Sequence, residues 1–349
     1  MKIVVPSSPM NRVDLYKDAG FEVVEARIKT EEDMIEFMQD ADGAQVNTLP
    51  LTTRRVLESC PKLKVISRFG VGVDSIDLDA ATELGILACN VPGVNTTEVA
   101  DHAVAMLLAL TRRMVDAVNT TREGAWRDNP RLNAQYYTTA RRIAGHTVGV
   151  IGFGNIGRAF ATRMRGFGPS RIVAYDPYVD QLAADLYGVQ MVSLEELLGE
   201  ADYISIHTSS TDETRHIINA DTLKLMKSTA IIVNTSRGPM IDGEALDKAL
   251  EDGQIEAAGL DVSEVEPIPS ESPLLKLPNC IVTPHFAGFS PTFLEECAIH
   301  QAENIIFGLT GKKPHGIANP EAIKTIAVMR ATNPGRWEGI PDFSTALQL

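Results

Sequence analysis

An α/β fold built from two doubly wound parallel sheets is what this chain predicts, on three observations. Residues 146–176 read as strand, glycine turn, helix, strand and acid, while residues 1–95 alternate short apolar runs with helical pieces. Residues 193–260 then repeat helix and strand in pairs. At 349 residues the chain is long for a single core and suits two domains.

In the first stretch the expected strands are Ile3 to Val5, Phe21 to Glu25, Ala44 to Val46, Val65 to Ser67 and Ile86 to Cys89. Helices fall around 10–18, 31–40, 52–59 and 77–84, so strands and helices alternate as in a small parallel sheet covered by helices. Arg68-Phe69-Gly70-Val71-Gly72-Val73-Asp74 follows one strand. Loops there bind ligands in open α/β sheets. The amides of Val71 and Gly72 suit a small carboxylate, or the glycines serve only the shape of the turn; both readings stay open.

From Thr96 a helical pattern runs to about Thr121, and its first half is apolar on nearly every side. Such a helix is buried all round. We expect part of the surface from Val99 to Thr121 to face a second subunit in a homodimer. Residues 122–145 are polar, carry Trp126 and Tyr136-Tyr137, and read as an extended loop lying on a partner or over the site.

Val148 to Ile151 is a β-branched run that leads directly into Gly152-Phe153-Gly154-Asn155-Ile156-Gly157, after which Ile156, Phe160 and Met164 take helical spacing. Gly152 allows the tight turn, Gly154 lets a pyrophosphate approach the backbone, and Gly157 lets helix pack on strand. Free N–H groups at the helix start then face the phosphates. The next strand, Arg171 to Tyr175, ends at Asp176, which lies 176 − 157 = 19 residues past the last glycine. A carboxylate there accepts from both ribose hydroxyls of an adenosine and repels a 2′-phosphate. NAD is therefore expected over NADP. A helix at 193–199, strand 203–206, a helix near 221–226, strand 230–233, a helix at 242–251 and strand 256–260 complete the sheet.

Composition removes several classes. The formal charge of −14 argues against nucleic acid or an anionic membrane as partner. The pairs Arg54-Arg55, Arg112-Arg113 and Arg141-Arg142 read as solvated helix ends. Cys60, Cys89, Cys280 and Cys297 show no metal-ligand spacing, so no metal is expected, and they read as reduced thiols of a cytoplasmic protein. No targeting or membrane segment is visible, because the apolar run after Met1 is three residues long.

Three strand ends carry candidate chemistry. Asn234-Thr235-Ser236-Arg237-Gly238 offers a guanidinium suited to two-point binding of a carboxylate or carbonyl. Asp261-Val262-Ser263-Glu264-Val265-Glu266 offers acids, and Thr283-Pro284-His285 an imidazole. Each has a structural reading: a surface ion pair, ordinary acids, a satisfied histidine. Together they match hydride transfer at a 2-hydroxy acid, whose hydroxyl must lose a proton as the hydride leaves. Imidazole suits that step near neutrality, a carboxylate beside it favours the imidazolium and fixes the ring, and arginine orients the substrate.

The stretches RFGVGVDSID, NVPGVNTTEVADHAVAMLL, VGVIGFGNIGRAFA, VNTSRGPMID, LDVSEVEP and TPHFAG resemble the D-isomer-specific 2-hydroxyacid dehydrogenase family over roughly residues 40–316. The resemblance implies a Rossmann NAD domain, 97–288, inserted in a flavodoxin-like substrate domain, 1–96 plus 289–349, on which the helix Pro291 to Phe307 packs. It implies Arg237 as the substrate-orienting arginine, Glu266 as the acid partner and His285 as the acid/base. Cofactor contacts would come from Gly152, Phe153, Gly154, Asn155, Ile156, Gly157, Asp176, His207, Thr208, Thr214, Thr235, Ser236, Asp261 and His285. Substrate contacts would come from Asn47, Val71, Gly72 and Arg237.

Formate dehydrogenases of that family carry glutamine where Glu266 stands. Phosphoglycerate dehydrogenases place arginine in the loop here written Val46-Asn47-Thr48-Leu49, which has none. The expected substrate is thus a 2-hydroxy or 2-keto acid with a small or uncharged side group, such as glyoxylate or hydroxypyruvate, while Arg68 keeps a phosphorylated or sulfonated one open. A phosphoglycerate dehydrogenase-type enzyme therefore remains an alternative. So does an NAD-sensing scaffold resembling the C-terminal-binding-protein corepressors, because those proteins keep the same three residues. The tail from Ala318 to Leu349 departs from the family's usual ending; Asn333 to Trp337 reads as a loop, with Trp337 docking on this subunit or another.

Overall fold

The computed structural model describes residues 1–342; residues 343–349, the end of the Ala318 to Leu349 tail and of the 289–349 range, lie outside the described residues. The chain forms two units, Met1–Asn95 with the residues from Ser290 onward, and Thr96–Phe289.

The first unit holds β1 (Lys2–Pro6), β2 (Glu22–Ala26), β3 (Gly43–Val46), β4 (Val65–Arg68) and β5 (Leu87–Cys89). They pair in parallel in the order β2-β1-β3-β4-β5. Every residue of β3, β4 and β5 is buried, as in a parallel sheet covered on both faces, the polar Gln45, Ser67 and Arg68 included. Helix Glu31–Met38 starts on a capping box between Thr30 and Asp33. Helix Pro291–Thr310 starts at Ser290, whose hydroxyl accepts the N–H of Phe293, with proline at the first helical position. It buries Ile305 and Leu309 against Ile3, Val65 and Leu87.

The described part of the tail is ordered around Trp337, with a helix before the segment read as a loop. Residues Ala322–Thr332 form a helix and Gly335–Trp337 a 3-10 turn. Trp337 is 1% exposed and docks on this same unit. Its Nε1–H donates to the carbonyl of Gly85 at 2.8 Å, and the Arg330 guanidinium lies 5.1 Å from its ring centre. Burying an indole with its one donor satisfied outweighs the loop-like local sequence.

The second unit holds β6 (Thr147–Ile151), β7 (Arg171–Tyr175), β8 (Gln190–Met191), β9 (Tyr203–Ile206), β10 (Ile231–Asn234), β11 (Ala257–Leu260) and β12 (Cys280–Val282). The parallel order is β12-β11-β10-β9-β6-β7-β8. Strand order reverses between β6 and β9, and ligands of such sheets bind outside the carboxyl ends at that switch point. The two-residue edge strand β8 was not expected from the sequence.

The helical pattern from Thr96 is two helices, Thr96–Thr111 and Met114–Arg122, broken at Arg113, which takes a left-handed φ of 54°. Val99, Ala103, Met106, Leu107 and Leu110 of the first are buried, and Ala103, Met106, Leu107 and Leu110 join one core with Phe160, Ile231 and Ala257. Much of its all-round apolarity is therefore spent inside its own unit. The second helix buries no residue and exposes Met114, Val115 and Val118. Residues 122–145 contain a short helix, Ala125–Asp128, and a 3-10 turn, Leu132–Tyr136, instead of an extended loop. Among the described residues no helix is long and apolar enough to cross a membrane.

Candidate active site

The glycine turn follows β6. Gly152 has φ +88°, and a Cβ on it would lie 2.5 Å from the amide nitrogen of Thr208. A Cβ on Gly157 would lie 2.1 Å from the carbonyl oxygen of Gly152. Gly154 differs: a Cβ there meets nothing within 4 Å. It is also the N-cap of helix Asn155–Arg165 and provides no side-chain cap, so the first N–H groups of the helix have no capping side chain. Asp176, after β7, accepts the N–H of Phe153 at 2.8 Å on one oxygen and that of Tyr178 at 2.9 Å on the other. Those two bonds fix the carboxylate beside the turn and leave each oxygen a lone pair for a ribose hydroxyl.

His207 and Thr208 follow β9. Both ring nitrogens of His207 are sealed from solvent without a hydrogen-bond partner, and burial pushes its pKa down to about 3. The ring is neutral and lies 5.1 Å from that of Phe160. After β10, Thr235 Oγ1 is likewise buried without a partner, and Ser236 Oγ donates to the carbonyl of Thr208. Orphaned polar atoms at the carboxyl end of the sheet are what a site shaped for a polar ligand leaves when described alone. Thr214 lies in the loop after β9, its hydroxyl donating to the carbonyl of Ser209 at 2.7 Å. The open cradle at Gly154, the uncapped helix and the oriented Asp176 fit a dinucleotide.

Three neighbouring strand ends meet on the same edge. Arg237 follows β10, and a Cβ on the next residue, Gly238, would sit 2.0 Å from the Ser263 backbone, so this loop presses on the one after β11. On that loop, Glu266 Oε1 accepts the N–H of Ser263 at 3.1 Å and Oε2 accepts from His285 Nδ1 at 2.6 Å. Burial pushes the Glu266 carboxyl upward, but the His285 bond and charge, the Ser263 amide and the positive charge of Arg237 together hold it below its usual range. Arg237, Glu266 and His285 are thus one electrostatic cluster. Nδ1 is committed to Glu266, Nε2 takes no part in that bond, and the side chain is 45% exposed.

His285 has a left-handed φ of 51°, strained for a residue with a Cβ. Asp261 holds that turn. Its carbonyl accepts the N–H of His285 at 2.8 Å, and its buried carboxylate accepts the Thr283 hydroxyl at 2.6 Å and the amides of Phe286 and Ala287 at 3.1 and 2.8 Å. Sequence reasoning missed His102, whose Nε2 lies 3.2 Å from Thr283 Oγ1 and 3.6 Å from Asp261, with its ring against Phe286. The available signal was a polar pair, Asp101-His102, in the otherwise apolar run from Val99 to Leu110. It also missed Glu264, which takes His216 Nε2 at 2.6 Å and the Gly243 amide at 3.0 Å and so braces the loop before Glu266.

In the first unit, Asn47, Val71 and Gly72 stand at the carboxyl ends of β3 and β4. Arg68 Nη2 donates to Thr48 Oγ1 at 2.8 Å, and Ser75 Oγ to the Asn47 carbonyl at 3.2 Å. The Val71 carbonyl accepts from Asn90 Nδ2 at 2.6 Å, and among the described residues no protein acceptor takes the N–H of Val71 or Gly72.

The family model for the NAD binding domain of D-isomer specific 2-hydroxyacid dehydrogenases matches residues 104–287. The chain is similar to glyoxylate reductase of Korarchaeum cryptofilum, 40% identical over 317 residues that cover 89% of this chain and 91% of that one. It is 39% identical over 322 residues to D-3-phosphoglycerate dehydrogenase of Methanocaldococcus jannaschii, 91% of this chain and 59% of that one. Its fold matches the structure of Rhodotorula graminis D-mandelate dehydrogenase with TM-score 0.83 and 28% identity, over 91% of this chain and 97% of the other. A dinucleotide turn, an imidazole–carboxylate pair under a guanidinium's charge and this likeness along the chain converge on one conclusion. The chain belongs to the D-isomer-specific 2-hydroxyacid dehydrogenase family and is an NAD-dependent oxidoreductase that interconverts a D-2-hydroxy acid and its 2-keto acid.

Proposed function

We propose that His285 is the acid/base of this reaction, Glu266 the carboxylate that holds its ring, and Arg237 the cation that orients the substrate. The carrying observation is the 2.6 Å bond from His285 Nδ1 to Glu266, with the charge of Arg237 acting on the same carboxylate. In oxidation Nε2 takes the proton of the substrate hydroxyl; in reduction it returns that proton to the carbonyl oxygen. Arg237 grips the carboxylate and draws electron density toward the carbonyl oxygen, while the ionised Glu266 offsets the charge the ring gains. NAD, when bound, supplies the hydride acceptor, and its reduced form the donor. Gly152 to Gly157 and Asp176 would hold it, joined by His207, Thr208, Thr214, Thr235 and Ser236. For Asp261 the hydrogen bonds favour setting the His285 turn over meeting the cofactor directly.

Residues 97–288 serve in this reading as the NAD domain, and 1–96 with 289–349 as the substrate domain, where Asn47 and the amides of Val71 and Gly72 are the binding groups. The substrate is a small 2-keto acid of the glyoxylate or hydroxypyruvate class, supported by a Val46 to Leu49 loop without arginine and by the relatives named glyoxylate reductase. A phosphorylated acid is the second reading, because the bond from Arg68 to Thr48 sets a cation against that loop. The exposed Met114, Val115 and Val118 support a homodimer seated on helix Met114–Arg122, and four free cysteines support a reducing, cytoplasmic setting. NADH consumption against glyoxylate, hydroxypyruvate and 3-phosphohydroxypyruvate, with Arg237→Ala beside the wild type, tests the assignment. Turnover that falls in the variant at unchanged NADH affinity agrees with it. No turnover on any acid would return the scaffold reading.

A further inference from the structure

We infer that the first unit carries a divalent transition-metal site, of zinc type, formed by His300, Glu303 and His315. His300 and Glu303 lie three residues apart on helix Pro291–Thr310, hence on one face. His315 returns to that face from the loop that follows the helix. Its Nε2 lies 2.6 Å from Glu303 Oε2, its ring stacks on that of His300 with centres 4.3 Å apart, and one ligand atom from each residue lies within 4.8 Å of the others. Two imidazole nitrogens and a carboxylate oxygen are the donors zinc prefers, with a fourth position left to water.

The scaffold beneath the three side chains is already built. Asn304, next to Glu303 and fully buried, accepts the N–H of His315 on Oδ1 at 2.8 Å and donates from Nδ2 to the carbonyl of Asn90 at 2.8 Å. The loop is closed on the helix a second time by Lys312, whose N–H donates to the carbonyl of Phe307 at 2.9 Å. Helix and loop are therefore locked to each other, and only partly exposed side chains need rotate. Metal bonds of about 2.0–2.2 Å ask the three ligand atoms to converge. Among the described residues no hydrogen bond is made by the ring of His300, which only stacks on that of His315. The nearby Lys312 ammonium sits over the Phe307 ring, 5.6 Å from its centre, and so does not occupy Glu303. A bound ion would clasp the 311–316 loop to its helix and raise the unfolding temperature of the unit.

Zinc chloride titrated calorimetrically into the full chain, stripped with chelator, tests this. The expected result is one equivalent bound by the wild type with a rise in unfolding temperature. His300→Ala, His315→Ala and Glu303→Gln should each weaken it roughly tenfold or more. His216→Ala, which breaks another histidine–carboxylate pair at 2.6 Å, should leave it unchanged. His300→Gln supplies a milder variant should the alanine fail to fold, and Co2+ absorption lost in it gives a second readout. Binding undiminished in the three variants, or no stoichiometric binding by the wild type, would overturn the site.

Discussion

Gly154→Ala separates cofactor binding from folding. The residue has φ −75° and ψ −157°, open to alanine, and the added Cβ meets nothing within 4 Å. The folded state should be untouched, or stabilised by about 0.4–1 kcal/mol through the unfolded chain. On the proposed placement of NAD, the methyl group would stand where the pyrophosphate meets the helix amides. Losing one charge-assisted hydrogen bond there costs about 1.5–3 kcal/mol, or roughly 10- to 150-fold in NADH affinity. Gly157→Ala is the contrast, since its Cβ would lie 2.1 Å from the Gly152 carbonyl oxygen and 3.2 Å from Val150 Cγ1. Overpacking against backbone costs about 1–3 kcal/mol, so that variant should unfold earlier. NADH fluorescence titration and thermal unfolding on both variants give the four numbers needed. An alanine at 154 that binds NADH like the wild type would refute the placement of the phosphates.

Asp176→Ala should narrow the preference for NAD over NADP in paired kcat/KM measurements; an unchanged ratio removes Asp176 from the ribose. Glu266→Gln should lower kcat for keto-acid reduction roughly tenfold or more, because the ring loses the carboxylate that holds it. The sign for stability follows from the lowered Glu266 pKa: the pair stabilises the fold above the ordinary glutamate range, and this is lost as pH falls through the lowered value. The glutamine variant should lack that acid-limb loss in an unfolding series, and retaining it would contradict the pairing. Trp337→Ala should cost about 3–5 kcal/mol in denaturant unfolding if the tail docks as described; a cost below about 1 kcal/mol would detach it.

The buried strands and the glycine turn were legible because their signals are local. Val65 to Ser67 and Val148 to Ile151 are short runs rich in valine and isoleucine, and the turn from Gly152 to Gly157 is contiguous. Arg237, Glu266 and His285 were legible as strand ends. The break after Thr111 was not, because Arg113 adopts left-handed backbone without the glycine or asparagine that would announce it. Strand β8 is two residues long, too short for any period to register. The setting of His285 was hidden for a different reason. Its turn is held by Asp261, with His102 reaching Thr283 from 181 residues away, and such contacts exist only after the sheet has formed.

The most direct measurement is the rate of NADH oxidation by His285→Ala with the best 2-keto acid, alongside NADH affinity. The account predicts kcat lower by roughly 10²- to 10⁴-fold with affinity within about twofold of wild type. Turnover close to wild type would contradict it, because another group would then be moving the proton.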